Sequence, residues 1–316
     1  MGKHNEFIQT PIFNILQECV LACNGLDDNI ETQPLHEYIM QSVFLKMTGA
    51  SEQKLKCICW EMATEDYEYR YDFLNNKKYG ECSSYDEKSK IYKDIIGQIE
   101  KFDSNFEIKK LFEEKDNSIS DIKGLEEKDS SISDIKRFEE EKKEFIKVIK
   151  KIEKLNSEFY IEKLLDNKSK SKSKSKSKSE DENEAKDKEK FIKNIKNNIT
   201  KLIEKSIISK WLERDFMFFK SEDGSGNIKN TQICNEKALF QSTLIDDFKK
   251  YVYRHRNRCA HNLISYQENL PTLSTLADEN YKYQNYFYRF YILILLDEIF
   301  MKLYKKWRDA TENHNL

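Results

Sequence analysis

The chain has 316 residues, 38% hydrophobic and 35% charged, with a formal net charge of −2. Eight Gly and three Pro are too few for the turns that sheet proteins place every ~8–12 residues, so composition favours helices over a sandwich or barrel. The near-neutral balance excludes a basic nucleic-acid coat, and any RNA contact must come from a local patch.

In chain order, Thr10-Pro11 reads as an N-cap followed by Pro at the first helical position. Ile12, Leu16, Cys19, Val20 and Cys23 follow at helical spacing, and Gly25 can end that helix. A second helix starts near Pro34, carries Tyr38, Val43 and Leu45 to Met47, and stops at Gly49. A third runs from about Ser51 through Leu55, Ile58 and Met62, with an acidic and aromatic continuation from Glu65 to Asp72. Glu65, Asp66 and Glu68 lack a His at ligand spacing and read as a solvated acidic face. From about Lys93 the sequence becomes more charged. Glu113–Lys123 and Glu126–Lys136 are near-copies with a period of 13 residues. That period turns a helix by about 220°, so the copies would not share one face and read as a duplication in a solvated segment. Lys168 to Ser179 alternates Lys and Ser without an apolar residue, which predicts a disordered linker, or a weak electrostatic aid to holding RNA. Order returns near Phe191, with Ile192, Ile195, Ile199, Leu202 and Ile203 at helical spacing, then a helix around Ile207–Phe219 and a loop over Ser221–Asn230. Thr243 can cap a helix, with Asp246 as its acidic partner. Leu244, Phe248, Tyr251, His255 and Cys259 form its inward stripe. A loop around Pro271 leads to a terminal helix from about Asn280 to Trp307.

The expected organisation is an all-α bundle. Residues 1–109 carry the N-terminal helices, 110–190 form a charged, partly disordered insertion, and 191–316 carry the C-terminal helices. The seven cysteines are odd in number, no signal peptide is visible, and Cys57-Ile58-Cys59 is one residue short of a metal or redox motif. Reduced, buried thiols follow. Met1-Gly2 has Glu at position 6 and so misses the myristoylation pattern. The apolar run Tyr291–Ile299 contains Asp297 and Glu298, too short and too charged a stretch to span a membrane. A cytoplasmic protein without membrane contact is expected.

Three of the eight arginines and two of the five histidines fall within Arg254–His261. Arg256, Asn257 and His261, with four residues between Arg and His, resemble the signature of the HEPN superfamily: Arg, a polar residue, a short spacer, then His. The Ala260-His261-Asn262 ending and the place of the segment before one last long helix are similar too. The resemblance is specific over about ten residues and supportive over residues 190–310. It implies a HEPN-like helical bundle and metal-independent cutting of single-stranded RNA, with no cofactor and with 2′,3′-cyclic phosphate ends. It also implies a homodimer sharing one cleft, and a role as a toxin or antiphage (abortive-infection) effector, with a possible regulatory or antitoxin protein partner. The chemistry suits these residue types. A His titrating near pH 6.5 can take the 2′-hydroxyl proton or protonate the 5′-oxygen. Arg brings a permanent charge and a fork that matches phosphate oxygens. His261 is thus assigned the acid/base role, Arg256 phosphate stabilisation, and Asn257 orientation. Arg254, Arg258, Asn262 and Lys250 are candidate RNA contacts.

On an ideal helix Arg256 and His261 lie about 140° apart and differ by about 7.5 Å in height. Either the helix ends near Ala260 and lets His261 swing, or residues of two chains meet. His255 and Cys259, on the inward stripe, are expected to pack; Tyr251 belongs to the same stripe, and a stacking role for Tyr253 is open. A second formal match, Arg308 to His314, has Asp309 in the polar slot and reads as chance. Two other functions fit the sequence: a non-catalytic HEPN module that binds RNA or a nucleotidyltransferase partner, and a helical scaffold that docks proteins through the repeat region.

Overall fold

The structure is a computed structural model and describes residues 4–26, 32–75, 82–113, 178–221, 227–261 and 285–314. The regular elements among them are all helical, with one isolated antiparallel bridge between Ile233 and Phe240. The fold is all-α.

The chain opens with α1 (Asn5–Gln9) and α2 (Phe13–Ala22). Thr10 does not cap α2 as expected. It closes α1, and its hydroxyl donates to the Glu6 carbonyl at 2.8 Å. The first turn of α2 is tied instead by a distant carboxylate: the Ile12 amide donates to Asp297 Oδ2 at 2.8 Å. Gly25 stands at φ +94° in the turn after α2, a conformation that glycine adopts without strain.

Next, α3 (Gln33–Glu65) is one continuous helix where two were expected. Gly49 does not interrupt it. A mid-helix Gly costs only about 1 kcal/mol against Ala, and the burial of Phe44, Met47, Leu55 and Ile58 on either side outweighs that. Asp66 then adopts an extended backbone and breaks the helix. Its Oδ1 accepts the Glu68 and Tyr69 amides at 2.8 and 3.1 Å, which starts α4 (Tyr67–Asn75). Its Oδ2 takes Gln98 at 2.9 Å and also Lys101. Burial opposes ionisation, but the Lys101 and Gln98 bonds outweigh it and hold the carboxyl at about 2. Asp66 is therefore a structural cap rather than part of a solvated acidic face.

The sequence reading has no counterpart to α5 (Tyr85–Phe102). A capping box starts it: the Glu87 amide donates to Ser84 Oγ at 3.2 Å, and the Ser84 amide to Glu87 Oε2 at 3.0 Å. Tyr92, Ile95 and Ile99 are fully buried, and α5 packs closely on the terminal helix, Tyr286–His314. A 3-10 turn follows at Ile108–Leu111.

After this, α6 (Lys178–Glu204) begins inside the stretch expected to be an insertion. Lys178 and Ser179, the end of the Lys-Ser run, are already helical, whereas the two near-copies, apart from Glu113, lie outside the described residues. The described residues up to 113 and from 182 onward belong to one compact unit. The expected helix at 207–219 is split at Leu212 into α7 (Ile207–Trp211) and α8 (Glu213–Lys220). Residues 222–226 of the expected loop lie outside the described part, and Asn230–Gln232 form a 3-10 turn.

Thr243 does not cap α9 (Ser242–Asp247). Gln241 occupies the cap position, and the Thr243 hydroxyl is held by Gln232 Nε2 at 2.5 Å. A π-helical turn, Phe248–Tyr253, links α9 to α10 (Arg254–His261). The loop around Pro271 lies outside the described residues. The last helix, α11 (Tyr286–His314), is capped by Asn285, whose Oδ1 accepts the Phe287 and Tyr288 amides at 2.8 and 3.3 Å. Its first three turns are almost wholly buried, and it packs on α3 and α5 as the centre of the core. No helix among the described residues is long and apolar enough to cross a membrane. Six of the cysteines are buried free thiols, and Cys259 is partly exposed.

Candidate functional site

The Arg-rich segment owes its placement to the π turn before it. Such a turn replaces i→i+4 hydrogen bonds by i→i+5 and inserts one residue into the helical period. Leu244, Phe248 and Tyr251 are buried as expected, and so is Val252, which the 3.6-residue stripe did not include. The slip leaves Tyr253, His255, Arg256, Asn257, Arg258 and Cys259 all partly buried. Arg254 is exposed, as are Lys249 and Lys250. Lys249 reaches Asp86 at 3.4 Å, and Lys250 lies over the Tyr251 ring at 5.1 Å.

Arg256 is held from two sides. Its Nη2 donates to Glu52 Oε2 on α3 at 3.2 Å, and its Nη1 to Asn257 Oδ1 at 3.2 Å. The Arg256 side chain keeps 24% of its surface exposed against 12% for Glu52. The Asn257 bond and the Glu52 bond together fix the direction of the Arg256 guanidinium. Arg256 and Glu52 line one recess with Thr48, Ser51, Tyr253 and Lys88. Lys88, on α5, is buried and donates to the Cys82 carbonyl. Burial pulls its ammonium down to about 8, with Glu52 the strongest opposing charge.

His255 belongs to a second network. Its ring packs against Phe44 at 4.9 Å and Tyr286 at 5.3 Å between centroids. Nε2 lies 3.2 Å from the Tyr286 hydroxyl, which itself donates to Glu37 Oε1 at 3.0 Å. That hydroxyl has spent its proton, so Nε2 carries the imidazole proton and Nδ1 is the acceptor for Arg258 Nη2 at 3.4 Å. Cys259 Sγ also lies 3.4 Å from Nε2. Burial, with Arg289 and Arg258 nearby, drives the His255 imidazolium down to about 2. His255 is thus neutral near pH 7 and packed, as expected, and is no proton shuttle there. Arg258 is folded back onto it rather than extended towards solvent. Arg289, from α11, is buried over the Tyr286 ring at 5.0 Å. The Nε atoms of Arg258 and Arg289 are buried without an acceptor among the described residues.

The backbone of α10 stays helical through His261. On a regular helix Arg256 and His261 lie about 140° apart. The His261 side chain and the whole of Asn262 lie outside the described residues. Arg308 of the second formal match is bound to Glu312 at 2.6 Å and Glu65 at 3.7 Å, an ordinary helix-surface arrangement.

Sequence reasoning did not find Glu52, Lys88, Glu37, Tyr286 or Arg289. For Glu52 and Lys88 no local signal exists, because their relevance comes from helix packing across 204 and 168 positions from Arg256. Arg289 did carry one: a lone arginine inside the apolar run that opens α11. Among the described residues no group of three or more His, Cys, Asp or Glu is arranged to hold a metal ion. In comparisons with known proteins, no family model, curated protein or solved structure matches this chain.

Proposed function

We propose that the chain is a HEPN-type endoribonuclease that cuts single-stranded RNA without a metal ion, with Arg256, Asn257 and His261 as its working residues. One observation carries most of the weight: Arg256 is about a quarter exposed, oriented by its own neighbour Asn257, and set beside a recess that already holds a second cation. In the reaction the 2′-oxygen attacks phosphorus and loses its proton to a base, and the 5′-oxygen leaves with a proton from an acid. His261 supplies acid/base chemistry and Arg256 binds the phosphorane oxygens. Because Arg256 and His261 of one regular helix do not converge, the reading includes a homodimer in which each chain completes the other's site. A toxin or antiphage role in the cytoplasm follows the same resemblance.

The engagement of Arg256 with Glu52 favours one competing reading, a non-catalytic RNA-binding module in which that pair is purely structural. Incubating the purified protein with a total RNA pool in chelator and sequencing the ends separates them. New ends bearing 2′,3′-cyclic phosphate are expected, with cutting lost by roughly 10²–10⁴ in His261→Ala and by a comparable factor in Arg256→Ala. Intact RNA in the presence and absence of chelator, with binding retained, would favour the module.

A further inference from the structure

Within the ribonuclease reading, we infer that Glu52 is the positioning residue of the site: it aims the Arg256 guanidinium at the scissile phosphate. The middle of α3 is anomalous. Thr48, Ser51 and Glu52 are polar, yet they are buried in the middle of a core helix, at 5%, 2% and 9% exposure. Polar groups in such a place normally have partners that justify their desolvation. For Glu52 that partner is Arg256, brought there by the packing of α10 on α3.

A guanidinium has five N–H donors in a planar fork. Glu52 takes one from Nη2 and Asn257 one from Nη1. The others have no partner among the described residues. The carboxylate thus fixes where the fork points and leaves donors for a phosphate. The charge count agrees. The recess lined by Glu52, Arg256 and Lys88 sets two cations against one carboxylate, and Lys88 is raised by Glu52 and lowered by Arg256. One further negative group would complete the balance without displacing Glu52. A purely structural pair would need no second cation and no spare donors.

The experiment uses the full-length chain and a short single-stranded RNA in chelator. Glu52→Gln keeps the shape and a hydrogen bond but removes the charge; Glu52→Asp keeps the charge and withdraws it by one methylene. Both are expected to lower kcat by roughly 10–100-fold, as small misplacements of an aligned group do. KM should change little, and thermal melting should stay near the parent's. The Arg256 Nε–Hε resonance in an arginine-labelled sample, assigned by its loss in Arg256→Lys, should move towards the exposed arginines in Glu52→Gln. Parental kcat in both variants, or an Arg256 resonance indifferent to Glu52→Gln, overturns the inference. A loss of rate matched by a loss of folded protein overturns it as well. A parent that leaves RNA whole ends the ribonuclease reading, while the resonance still decides whether Glu52 positions Arg256.

Discussion

Two charge clusters hang from one turn of α3, and they are built differently. Lys54 meets Asp297 of α11 at 2.8 Å, with 5% and 3% of the two side chains exposed. Asp297 also accepts Lys54 on its second oxygen at 3.0 Å and the Ile12 amide at 2.8 Å. Each charge has its counter-charge and the carboxylate is filled with donors. Burial still pushes the Asp297 carboxyl up against the pull of Lys54, so the pair is a lock between helices rather than a large net source of stability. Two residues earlier on the helix, Glu52 faces two cations, one of them partly exposed with unused donors. The complete cluster closes a core; the incomplete one is where a ligand would add something. A buried charge by itself says little about function, and the informative quantity is whether its pairing is finished.

The largest effect should separate the two clusters directly. Asp297→Ala strands Lys54 and frees the Ile12 amide in the core. It should cost about 3–5 kcal/mol, the usual result of breaking a buried pair, read as a drop in denaturant midpoint. Glu52→Gln should leave that midpoint near the parent's and change RNA cutting instead. If the two variants lose equal stability, the distinction between finished and unfinished clusters fails.

A smaller effect concerns pH. The unfolded state protonates His255 near 6.5, whereas the folded state resists down to about 2. Between those values the unfolded chain binds the extra proton, so His255 makes the fold less stable as pH falls below 6.5 and has no such effect above it. Measured against His255→Gln at matched pH, the parent should lose up to about 1 kcal/mol per pH unit between 6.5 and 4.5. Parallel stability curves for the two proteins would show that His255 takes up a proton readily and that its network is looser than the geometry indicates.

The smallest effects belong to the exposed cations. Arg254→Ala and Lys250→Ala should each weaken RNA binding modestly across all sequences. Each should also reduce the slope of log K against log salt by roughly 0.7, the loss of one single-strand phosphate contact. An unchanged slope in either variant removes that residue from the RNA-binding set.

Much of the fold was legible because it rests on local periodicity. The apolar spacing at Ile12–Cys23, Ile192–Ile203 and along the terminal helix predicted helices that are present, and the scarcity of Gly and Pro ruled out sheets. Errors fell where a distant partner overrode a local signal. Thr10 and Thr243 carry good capping chemistry, but Asp297 and Gln232 reach those turns first. Gly49 is a helix breaker only when nothing packs on either side of it. The Ser84–Glu87 capping box was readable and was hidden by the charged residues that follow it.

The sequence by itself determined the helical class, the Arg256-Asn257…His261 segment, and the chemistry those residue types can perform. These depend on residue identity and on spacing along one helix, which the chain carries locally. Only the tertiary structure decided that Arg256 is gripped by Glu52, that Lys88 lies beneath the same recess, and that Arg258 is folded onto a neutral His255. It also decided that a π turn shifts the whole segment by one residue. Those outcomes depend on which helices touch and at what register, and on how far burial shifts each charge. No window of the sequence contains that information.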